Sequence, residues 1–271
     1  MSDYFNNIWA VLLFSMICTA CVAPAILLDE EAASKGFERL TVWGTNFPHR
    51  VYLNNAKSHS GNLHIYIEGD GLPWLLPGTV SPDPTPHNPL MLRLMAQDTE
   101  PSIYLGRPCY FGFAQTRPCN HWWWTDGRFA SEVVDSMATA LERLMSRHKD
   151  AAVVLIGHSG GGALAMLLAS RPINITAVVT LAGNLDTESW IQQHHFRPLS
   201  GSLNPALMAT LDKRITQLHF QGGRDHNIPP TLVSRFAVRQ PHAHFNIYPE
   251  FDHHCCWKDK WPEILKMLSN L

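Results

Sequence analysis

The stretch "VVLIGHSGGGALAMLLAS", residues 153–170, decides how the chain folds. An apolar run breaks off in Gly157-His158-Ser159-Gly160-Gly161 and resumes as an Ala/Leu/Met-rich helical pattern. A serine at the end of a buried strand needs a sharp, strained turn for its hydroxyl to point away from the sheet. Flanking glycines remove the side chains that would clash in that turn. A helix beginning near Gly160 then aims its first amides at the space above the serine, where they can hold an anion. With a strand before it and a helix after it, the short G-x-S-x-G pattern predicts that Ser159 is presented for chemistry.

Working outward, strand-like runs alternate with helix-like ones, the pattern of an α/β fold: a mostly parallel twisted sheet covered by helices on both faces. Strands are predicted over 39–43, 50–53, 63–68, 103–105, 151–156, 177–181, 215–220 and 244–248, the later ones continuously apolar as doubly covered strands are. Asn88-Pro89 predicts a helix start, with Asn88 as cap. Phe129, Val133, Met137, Ala140, Leu141, Leu144 and Met145 form one helical stripe, and Trp257, Trp261, Ile264, Leu265 and Leu268 another. Pro229-Pro230 opens a further helix through Val238. Two stretches fit no element, the Pro/Trp-rich 72–89 and the segment 184–213, and both read as rims or lids over a site.

A serine hydroxyl is a weak nucleophile near neutral pH, so a base must take its proton and an acid must orient the base. Asp225 follows the strand 215–220 in "GGRDHNIPP", and His253 and His254 follow the last strand in "FDHHCCW". The chain order is Ser, Asp, His. These residues resemble the α/β-hydrolase fold superfamily, and the resemblance spans about 39–271. It implies an acid role for Asp225, whose loop is similar to G-x-x-D-x-x-V/I-P, and selects His253 through Asp252-His253, with His254 the alternative base. Asp186, in "LAGNLD", is the alternative acid. One oxyanion donor is the amide of Gly160, after the nucleophile. "EGDG", 68–71, stands where the superfamily has H-G-x-G, which implies the amide of Asp70 as the second donor.

At the N-terminus no charged residue occurs between Ile8 and Leu28. The run resembles a bacterial lipoprotein signal with Cys21 as the lipidated residue. An uncleaved span is the alternative, since the run reaches the ~20 residues that cross a bilayer. The expected organisation is a signal or anchor over 1–20, a tether over 21–38 and a hydrolase domain over 39–271, with the domain outside the cytoplasm in the cell envelope. Cys109 and Cys119 close one loop and are the expected disulfide. Cys255 and Cys256 are read as a vicinal disulfide, two thiols, or partners of the other pair.

The formal charge of −2 provides no excess positive field for a polyanion, so nucleic acid is not an expected partner. The adjacent residues of "HHCCW" cannot easily converge on one tetrahedral ion, and no metal or other cofactor is expected. Trp74, after the oxyanion turn, is a pocket candidate. Trp122-Trp123-Trp124 lines an acyl pocket or packs beneath the disulfide loop. The function expected is hydrolysis of a carboxylic ester of a small-molecule or lipid acyl substrate. Acyl transfer by the same triad, or a non-catalytic envelope lipoprotein on the same fold, are the alternatives; the sequence is silent on oligomeric state.

Overall fold

The computed structural model describes residues 23–57, 61–146, 148 and 151–269. Eight strands form the main sheet: β1 (Glu38–Trp43), β2 (Pro48–Asn54), β3 (Asn62–Ile67), β6 (Ser102–Leu105), β7 (Ala152–His158), β8 (Ile175–Leu181), β9 (Thr216–Gly222) and β10 (His244–Tyr248). Their order is β1-β2-β6-β3-β7-β8-β9-β10. The β1–β2 and β2–β6 pairs are antiparallel, and every later pair is parallel. In register, Ile67 lies opposite Gly157 and His158 opposite Leu181. The loops leaving β3, β7 and β8 therefore meet at one end of the sheet.

Seven α-helices are described: α1 (Pro24–Ser34), α2 (Leu90–Met95), α3 (Ser131–Met145), α4 (Gly160–Ala169), α5 (Thr187–His194), α6 (Ser234–Arg239) and α7 (Trp257–Leu268). The pleat divides the core between the two faces. Leu63, Ile65, Ile67, Val153 and Leu155 pack with α3, α4 and Phe236 of α6. Tyr66, Val154 and Ile156 pack on the other face with α1, α2 and α7. The α3 stripe is buried from Val133 to Leu144, as its 3.6-residue period predicts. All ten residues of α4 are buried, as in a helix enclosed on every side.

Three expectations need correction. The tether read over 21–38 is in part a packed helix: Leu28 and Ala32 of α1 are 2% and 1% exposed, beside Phe37. Asp29 of the same helix accepts the Tyr52 hydroxyl at 2.6 Å, and Glu31 receives Arg93 at 2.7 and 3.0 Å. Only a narrow stripe of α1 is apolar inward, which left no periodic signal. Asn88 does not cap α2; it bonds to Arg93, and the Met91 amide is taken by the Glu68 carboxylate at 3.0 Å. Neither stretch read as fitting no element lacks one: 72–89 contains a small hairpin, β4 (Trp74–Leu76) and β5 (Thr79–Val80), and 184–213 contains α5, whose first turn is capped by Asp186.

Cys21 and residues 1–20 lie outside the described residues. Among the described residues no helix is long and apolar enough to cross a membrane. Cys109 bonds to Cys119, and Cys255 to Cys256. The tryptophan cluster packs: Trp124 is buried with its N–H on the Ser81 carbonyl at 3.1 Å, and Trp123 meets Phe47 edge-on at 4.9 Å. Cross-linking a loop of this length restricts the unfolded chain by about 3 kcal/mol. The double variant Cys109→Ser/Cys119→Ser is expected to lose about that much stability in urea titration; a change below about 0.5 kcal/mol would contradict this assignment.

Candidate active site

Ser159 sits between β7 and α4 with φ 53° and ψ −122°. That conformation is rare for a residue with a side chain and costs on the order of 1–3 kcal/mol. Surrounding contacts hold it: the Ser159 amide donates to Leu181 at 3.0 Å, and the Ser159 carbonyl accepts from Gly162 and Asn184, each at 3.0 Å. A side chain on Gly157 would run into the Gly161 carbonyl, and one on Gly161 into the Ile67 carbonyl. The two fixed glycines of the motif thus allow α4 to lie directly on the strand ends.

The last strands bring the partners. Ser159 Oγ is 3.0 Å from His253 Nε2, and His253 Nδ1 is 2.7 Å from Asp225 Oδ2. A carboxylate only accepts, so Nδ1 carries the proton and Nε2 is free to receive one. The other oxygen of Asp225 accepts the amides of Asn227 at 2.8 Å and Ile228 at 2.7 Å. Burial alone would raise the Asp225 pKa, but the hydrogen bond and charge of His253, with the two amides, hold it below the usual carboxylate range. The arrangement can polarise a hydroxyl and store its proton on an oriented imidazole.

The alternative candidates stand elsewhere. His254 is exposed, and its ring meets those of His253 at 5.0 Å and His158 at 5.7 Å without a hydrogen bond to Ser159 or Asp225 among the described residues. Asp186 caps α5, accepting the Ser189 amide at 3.2 Å and hydroxyl at 2.7 Å, and it takes Asn204 at 2.9 Å. It is a helix cap and not a partner of His253.

The loop after β3 lies against the serine turn, and the Asp70 side chain packs on Gly160. Neither the Asp70 nor the Gly160 amide has a backbone partner among the described residues. The Asp70 carboxylate is pinned by Arg107 and by Arg128, the latter at 2.8 Å, and its carbonyl accepts the Tyr110 hydroxyl at 3.0 Å. Burial opposes ionisation here, but the two guanidinium groups overcome it and hold the Asp70 pKa down at about 2. A permanent charge cluster therefore fixes the loop that packs against the serine turn. Sequence reading missed both arginines, because they come from the turn between β6 and the disulfide loop and from the turn before α3, with no spacing that ties them to Asp70.

Three further groups were also missed. His158 donates Nε2–H to the His253 carbonyl at 2.8 Å, and Trp257 Nε1–H reaches the same carbonyl at 3.2 Å. Burial, then the neighbouring His253, pushes the His158 pKa down to about 3, so the ring is a neutral positioning donor at ordinary pH. Asn227 Nδ2 lies 3.1 Å from His253 Nε2, while its side-chain oxygen accepts Trp190 of α5 at 3.3 Å. The variable position of G-x-S-x-G, a presumed core tryptophan and an ordinary loop asparagine carry no signal in one sequence.

Ser159, His253, His158, Asn227, Asp70 and Arg128 open on one cavity of about 880 Å³. Both the hairpin segment 72–89 and the α5 segment 184–213 line it: Leu72, Trp74 and Leu75 from the first, Trp190, Phe196 and Leu199 from the second. Its walls are chiefly apolar, with Ser159, His253, Asp70 and Arg128 among the polar groups.

Residues 108–197 match the profile of the family described as "alpha/beta hydrolase fold". No curated protein sequence matches the chain. Among solved structures, an esterase from Pyrococcus furiosus superposes with a TM-score of 0.59 at 12% identity, covering 88% of this chain and 91% of that one. A serine hydrolase without lid from Xanthomonas campestris gives 0.54 at 13%, covering 86% and 92%. A puromycin-hydrolyzing peptidase from Mycobacterium tuberculosis gives 0.59 at 15%, covering 86% of this chain and 39% of that one. Likeness at these identities shows the fold: the chain has the α/β-hydrolase fold.

Glu68 begins the loop after β3 and is fully enclosed, accepting from Met91, from Gly69 at 3.3 Å and from Tyr104 at 3.4 Å. Burial raises its pKa from 4.5 to about 7, against those hydrogen bonds. Between these two values the folded chain keeps a proton that the unfolded chain has lost, so stability falls as pH rises from about 4.5 through about 7. The full loss is on the order of 3 kcal/mol. Glu68→Gln is expected to flatten this slope, so that thermal unfolding of the variant gains on the wild type between pH 5 and pH 8. Parallel pH profiles for the two proteins would contradict it.

Proposed function

We propose that the chain is a serine hydrolase that cleaves a carboxylic ester through an acyl-enzyme. The observation that carries this reading is the unbroken chain of contacts from buried Asp225 through His253 to Ser159 Oγ, the last two opening on one chiefly apolar cavity. His253 Nε2 takes the hydroxyl proton as Ser159 Oγ bonds to the acyl carbon, and Asp225 stabilises the imidazolium. The carbonyl oxygen becomes an oxyanion, to which the Gly160 and Asp70 amides donate. As the carbon–oxygen bond to the alcohol breaks, the alcohol leaves with the proton from His253. Water then gives a proton to the same nitrogen as its oxygen bonds to the acyl carbon; the bond from that carbon to Ser159 Oγ breaks, Oγ takes the proton back from His253, and the carboxylic acid leaves. No cofactor enters any step.

The cavity walls support an apolar acyl group, with Trp74, Leu75 and Phe196 available to pack along it. We also place the chain in the bacterial cell envelope, held by lipid on Cys21. Support comes from α1: it draws 24–28 of the uncharged run into the domain and leaves 8–23, short of the ~20 residues that cross a bilayer.

A fluorophosphonate probe is expected to label the wild type, and ester turnover to fall at least about a thousandfold in Ser159→Ala and His253→Ala. Asp225→Asn is expected to lose a similar factor, and His254→Ala less than about threefold. Turnover retained in Ser159→Ala would overturn the reading. Release of new esters in place of acid, when an alcohol acceptor is added, would favour acyl transfer.

A further inference from the structure

We infer that the mouth of the catalytic cavity faces a lipid bilayer and that the acyl substrate is a lipid resident in that bilayer. The orientation rests on the membrane attachment proposed above together with the geometry of this end of the fold; the substrate class rests also on the serine-hydrolase reading.

The first observation is where the chain enters the fold. The start of α1 is beside the catalytic loops, with Ala25 against Gly112 of the disulfide loop. Two residues earlier in that loop, the Tyr110 hydroxyl bonds to the Asp70 carbonyl at 3.0 Å, and the Phe111 amide bonds to Thr85 at 2.6 Å. Thr85 belongs to the segment that follows the β4–β5 hairpin. The disulfide loop is thus wedged between the entry point of the chain and the rim of the cavity. From Cys21 to Ala25 the backbone can span at most about 14 Å. A lipid on Cys21 keeps the bilayer surface within that distance of Ala25 and of the disulfide loop it touches.

The second observation is what the same end exposes. Ile26 and Leu27, beside the entry point, are 51% and 53% exposed. On the cavity rim Leu75, Leu76 and Phe196 are 50%, 67% and 52% exposed, although a folded chain gains by burying such groups. Phe196 is followed by Arg197, an exposed cation with no carboxylate partner among the described residues. Apolar side chains flanked by a cation are the composition of a surface that beds into the headgroup boundary. A lipid tail reaching the cavity from the bilayer would slide along Leu75 and Phe196 without crossing water. Ester hydrolysis there consumes one water and releases a fatty acid and the remaining lipid alcohol.

The test uses the full chain carrying Ser159→Ala, so that catalysis plays no part, in vesicles of phosphatidylethanolamine and phosphatidylglycerol. A photoreactive residue is introduced as Leu76→benzoylphenylalanine, Leu27→benzoylphenylalanine or Val238→benzoylphenylalanine. Val238 is 81% exposed at the end of α6, which leads into the opposite end of the sheet. Lipid adducts at positions 76 and 27, at least tenfold above position 238, are the expected result. Equal labelling at 76 and 238, or failure of the chain to float with the vesicles, would overturn the orientation. Intact cross-linking with no fluorophosphonate labelling of the wild type in detergent would overturn the substrate class alone.

Discussion

The backbone at Ser159 is the constraint on which the site depends. A residue with a side chain is held at φ 53° because its amide and carbonyl are both committed, to Leu181 on one side and to Gly162 and Asn184 on the other. Releasing the turn would cost those bonds and lift α4 from the strand ends, where every residue of the helix is buried. The strain is small beside the packing that enforces it. Its effect is to hold one hydroxyl above the sheet, at the point where the loops after β3, β9 and β10 converge.

Around that point the structure uses fixed charge where a glycine-rich loop alone would be loose. Arg107 and Arg128 are 1% and 4% exposed, and together they anchor Asp70. Removing either arginine would leave a partly buried carboxylate undercompensated. The same loop begins at Glu68, whose carboxylate caps α2. Loop, helix and disulfide segment therefore move as one body, and the amide of Asp70 inherits that rigidity. The base is held in the same manner from another side, by His158 and Trp257 on its carbonyl and Asp225 on its ring.

The sheet strands were legible in sequence because parallel strands covered on both faces are short apolar runs, and Val153 to Ile156 could be little else. The order of Ser159, Asp225 and His253 was legible because each follows a strand. Physical distance from the motif explains what was not. Arg107 and Arg128 reach Asp70 from segments whose placement is decided by tertiary packing, and α1 turns only Ala25, Leu28 and Ala32 inward, too few for a periodic signal. The choice between His253 and His254 was likewise a matter of backbone direction: Asp252 accepts the amides of His254 and Cys255, at 2.8 and 2.6 Å, and that turn sends one imidazole inward and the next outward.

In the proposed reaction a strained serine, an oriented imidazole and two loop amides act on one acyl carbon. A crystal structure of the chain inactivated with an alkyl phosphonate shows whether they do. Phosphorus is expected to be bonded to Ser159 Oγ, with the phosphonyl oxygen about 3 Å from the amides of Gly160 and Asp70. Phosphorus on another residue, or a phosphonyl oxygen turned away from both amides, would contradict it.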